Sequence, residues 1–374
     1  MKHTKSLKIT ALLLALIIFA FSGMQAFAGA QPLKTESYAD IVTLSDAQSW
    51  GPGAFKTFGK VLRAMQKDGL EEPGSLLCGG DYSRFMADYA TLGIIQLREQ
   101  YVNVYPGADP DSLVCIQGNH DQSVASFCPT GMYDMCTYSL FIMNEDDFPW
   151  KQRDNKSNED IVRATAAMLS DSLDRLIAAD DSRPVIVLTH VPLHFTRRDS
   201  YGDNLYASYI FDILNRAGEK LDIIFLFGHN HSDDYDDYIG GSVNYLARGE
   251  KIRIPSRENP GKDGFTEETL NFTYTNCGYI GYTGNSNTAP STDVLSMGLI
   301  RLFEDRIEML RYTEDGLFRS DEIERINPAS QEDMTAKTTL ANLRYNNASK
   351  RESEYSFLTP LIRFYLMIFG VFSV

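Results

Sequence analysis

The sequence is poor in basic residues. Its 374 residues include 35 Lys and Arg against 50 Asp and Glu, which gives a formal net charge of −15 at pH 7. The acidic excess is spread along the chain, and there is no stripe of Lys and Arg of the kind that contacts a nucleic-acid backbone. The composition therefore argues against DNA or RNA as a partner. Acidic runs at 144–147 and 233–237 are typical of solvated loops.

Cysteine is also scarce, and its spacing excludes a zinc–thiolate site. Cys128 and Cys136 lie in a polar stretch that contains Gly and Pro, where a disulfide would stiffen the loop of an exported protein. Cys78, Cys115 and Cys277 are predicted to be small buried residues.

The amino terminus has the pattern of a secretory signal peptide, which we place at residues 1–28. A basic start precedes an apolar run over 9–21, and 26–28 form a small-residue cleavage site. We therefore expect an exported protein, either extracellular or attached to the cell surface. No internal repeat is present, and the remaining chain is long enough for one large α/β domain, which we place at 29–320.

Long hydrophobic runs are few outside the leader. Residues 321–374 are predicted to form a polar linker or helix followed by a hydrophobic tail. Within that tail only 364–372 is uninterrupted, which is short of the roughly 20 residues that a spanning helix needs. Docking on the domain, attachment at a membrane interface and a membrane anchor all stay open, and we favour membrane association.

Histidine is rare, and its positions are clustered. Of six histidines, His3 lies in the leader and the other five lie in the segments 118–121, 189–194 and 228–231. Core or surface histidines would be scattered, whereas imidazoles grouped at the ends of apolar runs are typical of transition-metal ligands. The sequence therefore indicates a metal site built from distant segments.

Five apolar runs of strand length end in residues that can bind a metal. In an open α/β sheet the carboxyl ends of the strands form one crevice, so we expect these residues to converge. The runs are 41–45 before Asp46 and Gln48, 75–80 before Asp81, and 113–117, 185–188 and 223–227 before the three histidine segments.

Helical patterns separate the strand-like runs, which predicts βαβ crossovers and an α/β fold. Beyond residue 232 the alternation of Tyr, Thr and Val predicts antiparallel strands. The predicted helices lie near 53–68, 83–102, 159–179 and 203–219, and the later strands at 270–280, 295–303 and 306–312.

In this order the segments resemble the calcineurin-like metallophosphoesterase family, whose pattern is Asp-x-His, Gly-Asp, Gly-Asn-His-Asp/Glu, a lone His and Gly-His-x-His. The likeness covers roughly residues 40–312. It implies two facing mixed β-sheets flanked by helices, a four-layer sandwich. One block departs from the pattern, because Gln48 replaces the histidine of Asp-x-His.

The resemblance also implies two divalent metal ions, for which manganese, iron and zinc are all suitable. The first would be held by Asp46, Gln48 and His231 and the second by Asn119, His190 and His229, with Asp81 bridging both. His120 would protonate the leaving oxygen, and Asp121 would orient its ring.

Two further residues have open roles. Arg84 would either clamp a substrate phosphate or lie solvated at the start of a helix. His194 would either contact substrate phosphate or cap a loop. Arg84 also occupies the position at which purple acid phosphatases have a tyrosine, and the phosphoprotein-phosphatase motif Gly-Asp-x-x-Asp-Arg-Gly is absent.

The function implied by the resemblance is hydrolysis of a phosphomonoester, phosphodiester or diphosphate in a small substrate, by attack of a metal-bridging hydroxide. Asp-x-Gln is similar to manganese-dependent ADP-ribose/CDP-alcohol diphosphatases, so a nucleotide-diphosphate hydrolase is the alternative within the enzyme class. The alternative outside it is a catalytically silent metal-binding scaffold. His120 argues against the scaffold, because a catalytic imidazole that binds no metal has no structural duty.

Overall fold

The computed structural model describes residues 37–48, 53–82, 90–121, 127–149, 156–194, 205–229, 245–257, 264–281 and 295–328. Its helices are α1 (Gly53–Lys67), α2 (Ala90–Val104), α3 (Lys156–Ala178) and α4 (Ala207–Ala217), with a short 3-10 turn at Pro110–Ser112. Its strands are β1 (Ala39–Leu44), β2 (Ser75–Cys78), β3 (Leu113–Cys115), β4 (Gly131–Asp134), β5 (Ser139–Met143), β6 (Val185–Thr189), β7 (Ile223–Phe227), β8 (Tyr245–Leu246), β9 (Lys251–Pro255), β10 (Phe265–Thr269), β11 (Thr273–Asn276), β12 (Gly278–Tyr279), β13 (Ser296–Leu302), β14 (Arg306–Thr313) and β15 (Gly316–Glu324).

The strands form two mixed sheets and a small β9–β10 pair. Within the described residues the first sheet has the order β15-β14-β13-β1-β2-β3, with β12 beside β13, and β1, β2 and β3 are parallel. The second has the order β4-β5-β6-β7-β11-β8, parallel from β5 to β11 and antiparallel at both edges. The predicted α/β fold with two mixed sheets is confirmed.

The core lies between the two sheets. Leu77 and Val114 of the first sheet belong to the same buried cluster as Ile186 and Leu188 of the second. The alternate positions of β6, such as Val187, face a second cluster built with α3 and α4. This alternation follows from the two-residue period of a strand, and it leaves the central strands buried on both faces.

Most predicted elements are present. The helices predicted near 53–68, 159–179 and 203–219 correspond to α1, α3 and α4, and α2 overlaps the helix predicted at 83–102 and ends two residues beyond it. The predicted strands at 295–303 and 306–312 form the antiparallel pair β13–β14.

The prediction of antiparallel pairing is only half right for β11. This strand is antiparallel to β8 on one side, but it is parallel to β7 on the other, with Thr273 opposite Ile224 and Asn276 opposite Phe227. All four of its residues are buried, as in the centre of an α/β sheet. It therefore extends the parallel part of the second sheet.

The boundary predicted at residue 320 falls inside β15, which runs to Glu324 as an antiparallel partner of β14. Its alternate polar side chains are those of an exposed edge strand, which is why the segment resembled a linker. Arg325, just beyond it, is buried against Asp222. The rest of the domain division stays a prediction, because the leader and most of the tail lie outside the described residues.

The structure has Cys128 and Cys136 as thiols, so the disulfide considered for them is not formed here. Cys78 lies opposite Cys115 on the neighbouring strands β2 and β3, and both are buried with Cys277 as predicted. Across the part of the chain that the structure covers, no helix has the length and apolarity needed to cross a membrane.

Candidate metal centre

Polar residues from both sheets meet at the carboxyl ends of the strands. Asp46 follows β1 and Asp81 lies three residues beyond β2, while His190 directly follows β6 and His229 lies two residues beyond β7. One potential ligand atom from each of Asp46, Asp81 and His190 lies within 4.8 Å of the others, and all three side chains are buried. The first sheet thus supplies the carboxylates of this cluster and the second supplies the imidazoles.

The backbone is left-handed at three of these residues. The φ angles are 52° at Asp46, 59° at Asp81 and 67° at His229. Residues other than glycine rarely adopt this conformation, which costs on the order of 1–3 kcal/mol each and persists only where surrounding contacts enforce it. Here Asp46 N–H donates to Gly80 O at 3.0 Å, and His229 N–H donates to Asp46 Oδ2 at 2.9 Å.

Two glycines of the sequence motifs allow the close approach of these segments. A Cβ atom at Gly118 would lie less than 3.0 Å from Asp81 Oδ1, and one at Gly228 would lie less than 3.0 Å from Ser45 Oγ and His190 Nδ1. The glycine of Gly-Asn-His-Asp and that of Gly-His-x-His are therefore required by packing around the side chains of the site.

His190 is held in a defined orientation. Its Nδ1 lies 2.7 Å from Gly79 O, a carbonyl that can only accept a hydrogen bond, so Nδ1 carries a proton. In the neutral ring Nε2 then bears a lone pair. This atom lies 2.8 Å from Asn119 Oδ1 and 3.4 Å from Asp81 Oδ2.

His229 approaches the same amide oxygen. Its Nδ1 lies 2.8 Å from Asn119 Oδ1, and its ring meets that of His190 edge-on at a centroid distance of 5.3 Å. With the Asn119 amide in this orientation, Nε2 of neutral His190 and Asn119 Oδ1 are both acceptors, and a proton or a cation beside them would relieve their repulsion. Asp81 Oδ2 is also buried, with His190 Nε2 at 3.4 Å. The donor set therefore fits a divalent cation.

The electrostatics agree with this fit. Burial lowers the pKa of His190, but the carboxylates of Asp81 and Asp46 outweigh burial and raise it to about 10. Burial raises the pKa of Asp81, but His190 lowers it below its ordinary value. A proton shared in this cluster thus supplies the positive charge that a cation would otherwise bring.

Asp121 joins two of the loops that carry these residues. Its carboxylate accepts the backbone N–H groups of Asp81 at 2.7 Å, Gly118 at 2.9 Å and Tyr82 at 3.1 Å. Burial and the charge of Asp81 raise the pKa of Asp121 well above its usual range, although the three N–H donors oppose this shift. These backbone bonds are the Asp121 contacts described at the site, and the prediction that Asp121 orients the His120 ring stays a prediction.

His120 lies at the surface of this cluster. Its backbone N–H donates to Asp81 Oδ1 at 2.8 Å, and its side chain is exposed while Asn119 beside it is half-buried. The loop therefore places an accessible imidazole one residue from Asn119.

Gln48 is buried at the same end of the first sheet, two residues beyond Asp46. A Cβ atom at Gly281 would lie less than 3.0 Å from the carbonyl oxygens of Asp46 and Gln48, so the chain after β12 packs directly on this segment. His231 and Arg84 lie outside the described residues, and their predicted roles stay predictions.

His194 is part of the core. Its side chain is completely buried, its Nδ1 lies 2.7 Å from Tyr274 Oη, and its ring packs edge-on against Phe227 and Tyr274. The hydroxyl of Tyr274 also accepts the backbone N–H of Leu193 at 2.8 Å. This placement supports the structural alternative considered for His194 and not contact with substrate.

One residue near the site was missed by the sequence analysis. Asn144 was grouped with acidic residues as part of a solvated loop, but it is buried, and its Oδ1 accepts the backbone N–H of Gln117 at 2.8 Å. The signal was present, because Asn144 directly follows the apolar run Ser139–Met143, as His190 follows β6.

Residues 39–233, just over half of the chain, match the family model described as calcineurin-like phosphoesterase. The chain belongs to this family. It is accordingly a metal-dependent phosphoesterase, a hydrolase acting on phosphoester bonds, and the family implies a dinuclear site for divalent metal ions. No curated protein matches the chain.

Solved structures with similar folds include a dimetal phosphatase from Danio rerio, 11% identical with a TM-score of 0.46, covering 78% of this chain and 100% of that chain. GAP50, the anchor in the inner membrane complex of Plasmodium, is 11% identical with a TM-score of 0.44, covering 82% and 95%. Vacuolar protein sorting 29 from Cryptosporidium parvum is 12% identical with a TM-score of 0.33, covering 76% and 98%.

Proposed function

We propose that this chain hydrolyses phosphate esters of small molecules with two divalent cations at the carboxyl ends of its strands. The main support is that Asn119 Oδ1 lies 2.8 Å from a ring nitrogen of each of His190 and His229. The other ring nitrogen of His190 is hydrogen-bonded to Gly79 O. The proposed ligands are Asp46, Gln48 and His231 for one cation, Asn119, His190 and His229 for the other, and Asp81 between them.

The ligand chemistry favours manganese at the first position. Carboxylate and amide oxygens are hard donors, whereas imidazole suits zinc, iron and manganese alike. Because Gln48 offers a neutral oxygen where the family pattern has an imidazole, the first cation would be bound less tightly and with more oxygen ligands. We therefore expect Mn²⁺ to support activity at concentrations at which Zn²⁺ does not.

When bound, the two cations would lower the pKa of a water molecule and stabilise the negative charge that develops on the phosphate. The protein's own contribution is positioning. The backbone N–H of Asp81 donates to the Asp121 carboxylate, and the Asp81 carboxylate in turn accepts the backbone N–H of His120. The exposed ring of His120 would then donate a proton to the oxygen of the leaving group.

A diphosphate bond is the second candidate for cleavage. The supporting observation is that Gln48 is buried at the end of the first sheet, beside Asp46 in sequence, where Asp-x-Gln resembles the ADP-ribose/CDP-alcohol diphosphatases. An activity of that type would hydrolyse ADP-ribose to AMP and ribose 5-phosphate. A monoesterase would leave ADP-ribose intact, because it has no terminal phosphate, and would release inorganic phosphate from p-nitrophenyl phosphate.

The test is hydrolysis by metal-stripped protein supplied with Mn²⁺, Zn²⁺ or Fe²⁺. Substrates are p-nitrophenyl phosphate, bis-p-nitrophenyl phosphate and ADP-ribose. Asp81→Asn should abolish metal-restored turnover, whereas Asp180→Asn should not, although Asp180 is also left-handed, with φ of 52° at the end of α3. A folded wild-type protein that gave no turnover with any metal would support the silent scaffold and overturn this proposal.

We also propose that the chain is exported and associates with a membrane through its carboxyl-terminal tail. This proposal rests on the sequence alone. Expression of the full chain followed by mass spectrometry and fractionation tests it: cleavage near residue 28 and recovery with membranes support it, and an intact amino terminus in the soluble fraction overturns it.

A further inference from the structure

Asn144 occupies the same level of the second sheet as His190. Strands β5 and β6 are parallel with Met143 opposite Thr189, so the next residues along each strand, Asn144 and His190, lie side by side. Asn144 is 7% exposed, although three acidic residues follow it in sequence. The amide is thus set into the edge of the sheet that carries the proposed metal ligands.

Both functional groups of the Asn144 side chain are bonded to backbone. Its Oδ1 accepts the N–H of Gln117 at 2.8 Å, and its Nδ2 donates to Cys128 O at 2.8 Å. Its own backbone N–H donates to Thr130 Oγ1 at 3.0 Å. A side chain with these bonds has one orientation, and that orientation fixes the position of Gln117.

Gln117 lies two residues before Asn119 in a loop that begins on the other sheet. This loop leaves β3 of the first sheet, yet the ring nitrogens that approach Asn119 come from His190 and His229 of the second sheet. The bond from Gln117 to Asn144 fastens the loop to the second sheet. Asp121 fastens the far end of the same loop to the loop after β2 of the first sheet through the N–H groups of Asp81 and Tyr82.

We propose that Asn144 is a positioning residue for the metal centre, acting through Gln117 on the metal ligand Asn119 and on His120. The inference rests on the proposed function, because it concerns the same site. Removing the amide leaves the N–H of Gln117 buried without an acceptor, and the loop shifts to satisfy it. Partners that orient metal ligands typically change metal affinity or activity by about 10- to 100-fold when they are removed.

The chain offers a matched control in Asn215. Its Oδ1 accepts the backbone N–H of Asn271 at 2.6 Å, and its Nδ2 donates to Thr269 O at 3.0 Å. It therefore makes the same two kinds of bond as Asn144, but beside the amino end of β11, away from the metal ligands. Asn144 is buried and Asn215 is half-buried, so their contributions to stability can differ, but without a role at the metal centre neither substitution would change Mn²⁺ affinity.

The experiment measures Mn²⁺ affinity by calorimetry, hydrogen exchange at 117–121 in metal-free protein, and kcat. Asn144→Ala should bind Mn²⁺ at least about 10-fold more weakly, with faster exchange at 117–121 and lower kcat. Asn144→Asp keeps the acceptor for Gln117 but loses the donor to Cys128 O, so it should retain more of the affinity than Asn144→Ala, and Asn215→Ala should change none of the three. Should Asn144→Ala fail to fold, Asn144→Ser replaces it with the same expected direction.

If Asn144→Ala and Asn215→Ala give the same Mn²⁺ affinity and the same exchange, the inference is overturned while the proposed function stands. If the wild-type protein binds no Mn²⁺ and hydrolyses no ester, the proposed function fails and the inference fails with it. The wild-type measurement therefore separates the two outcomes.

Discussion

Asp81 and Asp121 each hold the backbone of the other's loop. The carboxylate of Asp81 accepts the N–H of His120 at 2.8 Å, and the carboxylate of Asp121 accepts the N–H of Asp81 at 2.7 Å. The backbone of Asp81 also has a left-handed conformation, so both its backbone and its side-chain contacts hold it in place. The loops after β2 and β3 therefore behave as one unit, and a change to either carboxylate is expected to move both.

Substituting Asp121 with Asn tests this unit. Asparagine keeps the size of the side chain, but one acceptor oxygen becomes an NH2 group that faces N–H donors. We expect Asp121→Asn to lower metal affinity and kcat by about 10- to 100-fold and the free energy of unfolding by about 1–3 kcal/mol. Calorimetry, kinetics and urea denaturation measure these effects. An unchanged metal affinity would show that Asp121 does not position Asp81.

Gly118→Ala tests the need for close packing at Asp81. The new methyl group would lie less than 3.0 Å from Asp81 Oδ1, so the carboxylate must move. We expect metal-dependent turnover to fall by at least about 10-fold. The control is Gly59→Ala in α1, where the atoms nearest to the methyl group would be the ends of the flexible Gln100 and Arg63 side chains. That variant should keep its turnover, and equal losses in both would contradict the assignment.

Tyr274→Phe tests whether His194 is structural. The change removes the hydroxyl that contacts His194 Nδ1 and Leu193 N–H, and both of these groups are buried. We expect the free energy of unfolding to fall by about 1–3 kcal/mol, because buried polar groups lose their partner. The KM of folded protein should not change. A raised KM with unchanged stability would instead place His194 in contact with substrate.

Arg325→Met tests whether the domain extends beyond residue 320. The guanidinium of Arg325 is completely buried, donates to Asp222 Oδ2 at 3.2 Å and also donates to the carbonyl oxygens of Phe303 and Ser182. Removing one partner of a buried ion pair typically costs about 3–5 kcal/mol. Thermal and urea unfolding should show this loss.

Arg319→Met is the matched control for Arg325, since Arg319 is 43% exposed and pairs with Asp321 on the surface of β15. Exposed ion pairs contribute about 0–1 kcal/mol, so this variant should remain near wild-type stability. A chain that ends at residue 320 should unfold as readily as Arg325→Met or more so. If that shortened chain were as stable as the full domain, the segment beyond 320 would not belong to the fold.

The convergence of the site residues was predictable because each candidate ligand comes just after the carboxyl end of an apolar strand. Asp46, Asp81, His190 and His229 each come within three residues of an apolar strand, and the carboxyl ends of such strands share one edge. Asn144 obeys the same rule after β5, but the acidic residues that follow it hid the signal. His194 showed the opposite problem, since sequence alone does not reveal that Tyr274, 80 positions away, would bind it.

Strand pairing was less predictable than strand existence. Thr273–Asn276 has the alternation of Tyr and Thr that suits either direction of pairing, and only the fold places it parallel to β7. Strand β15 was missed because an edge strand keeps polar residues on its exposed positions. The pattern of apolar residues indicates which side chains are buried, but it does not by itself identify which strands pair.

The division of the ligands between two sheets links the site to the folding of the chain. Asp46 and Asp81 come from the first sheet and His190 and His229 from the second, so neither sheet alone presents a complete set of ligands. A folding intermediate with a single formed sheet therefore has no binding site for the cations. Cations bound at these proposed ligands would stabilise the packing of the two sheets, so loss of the cations and separation of the sheets would be coupled.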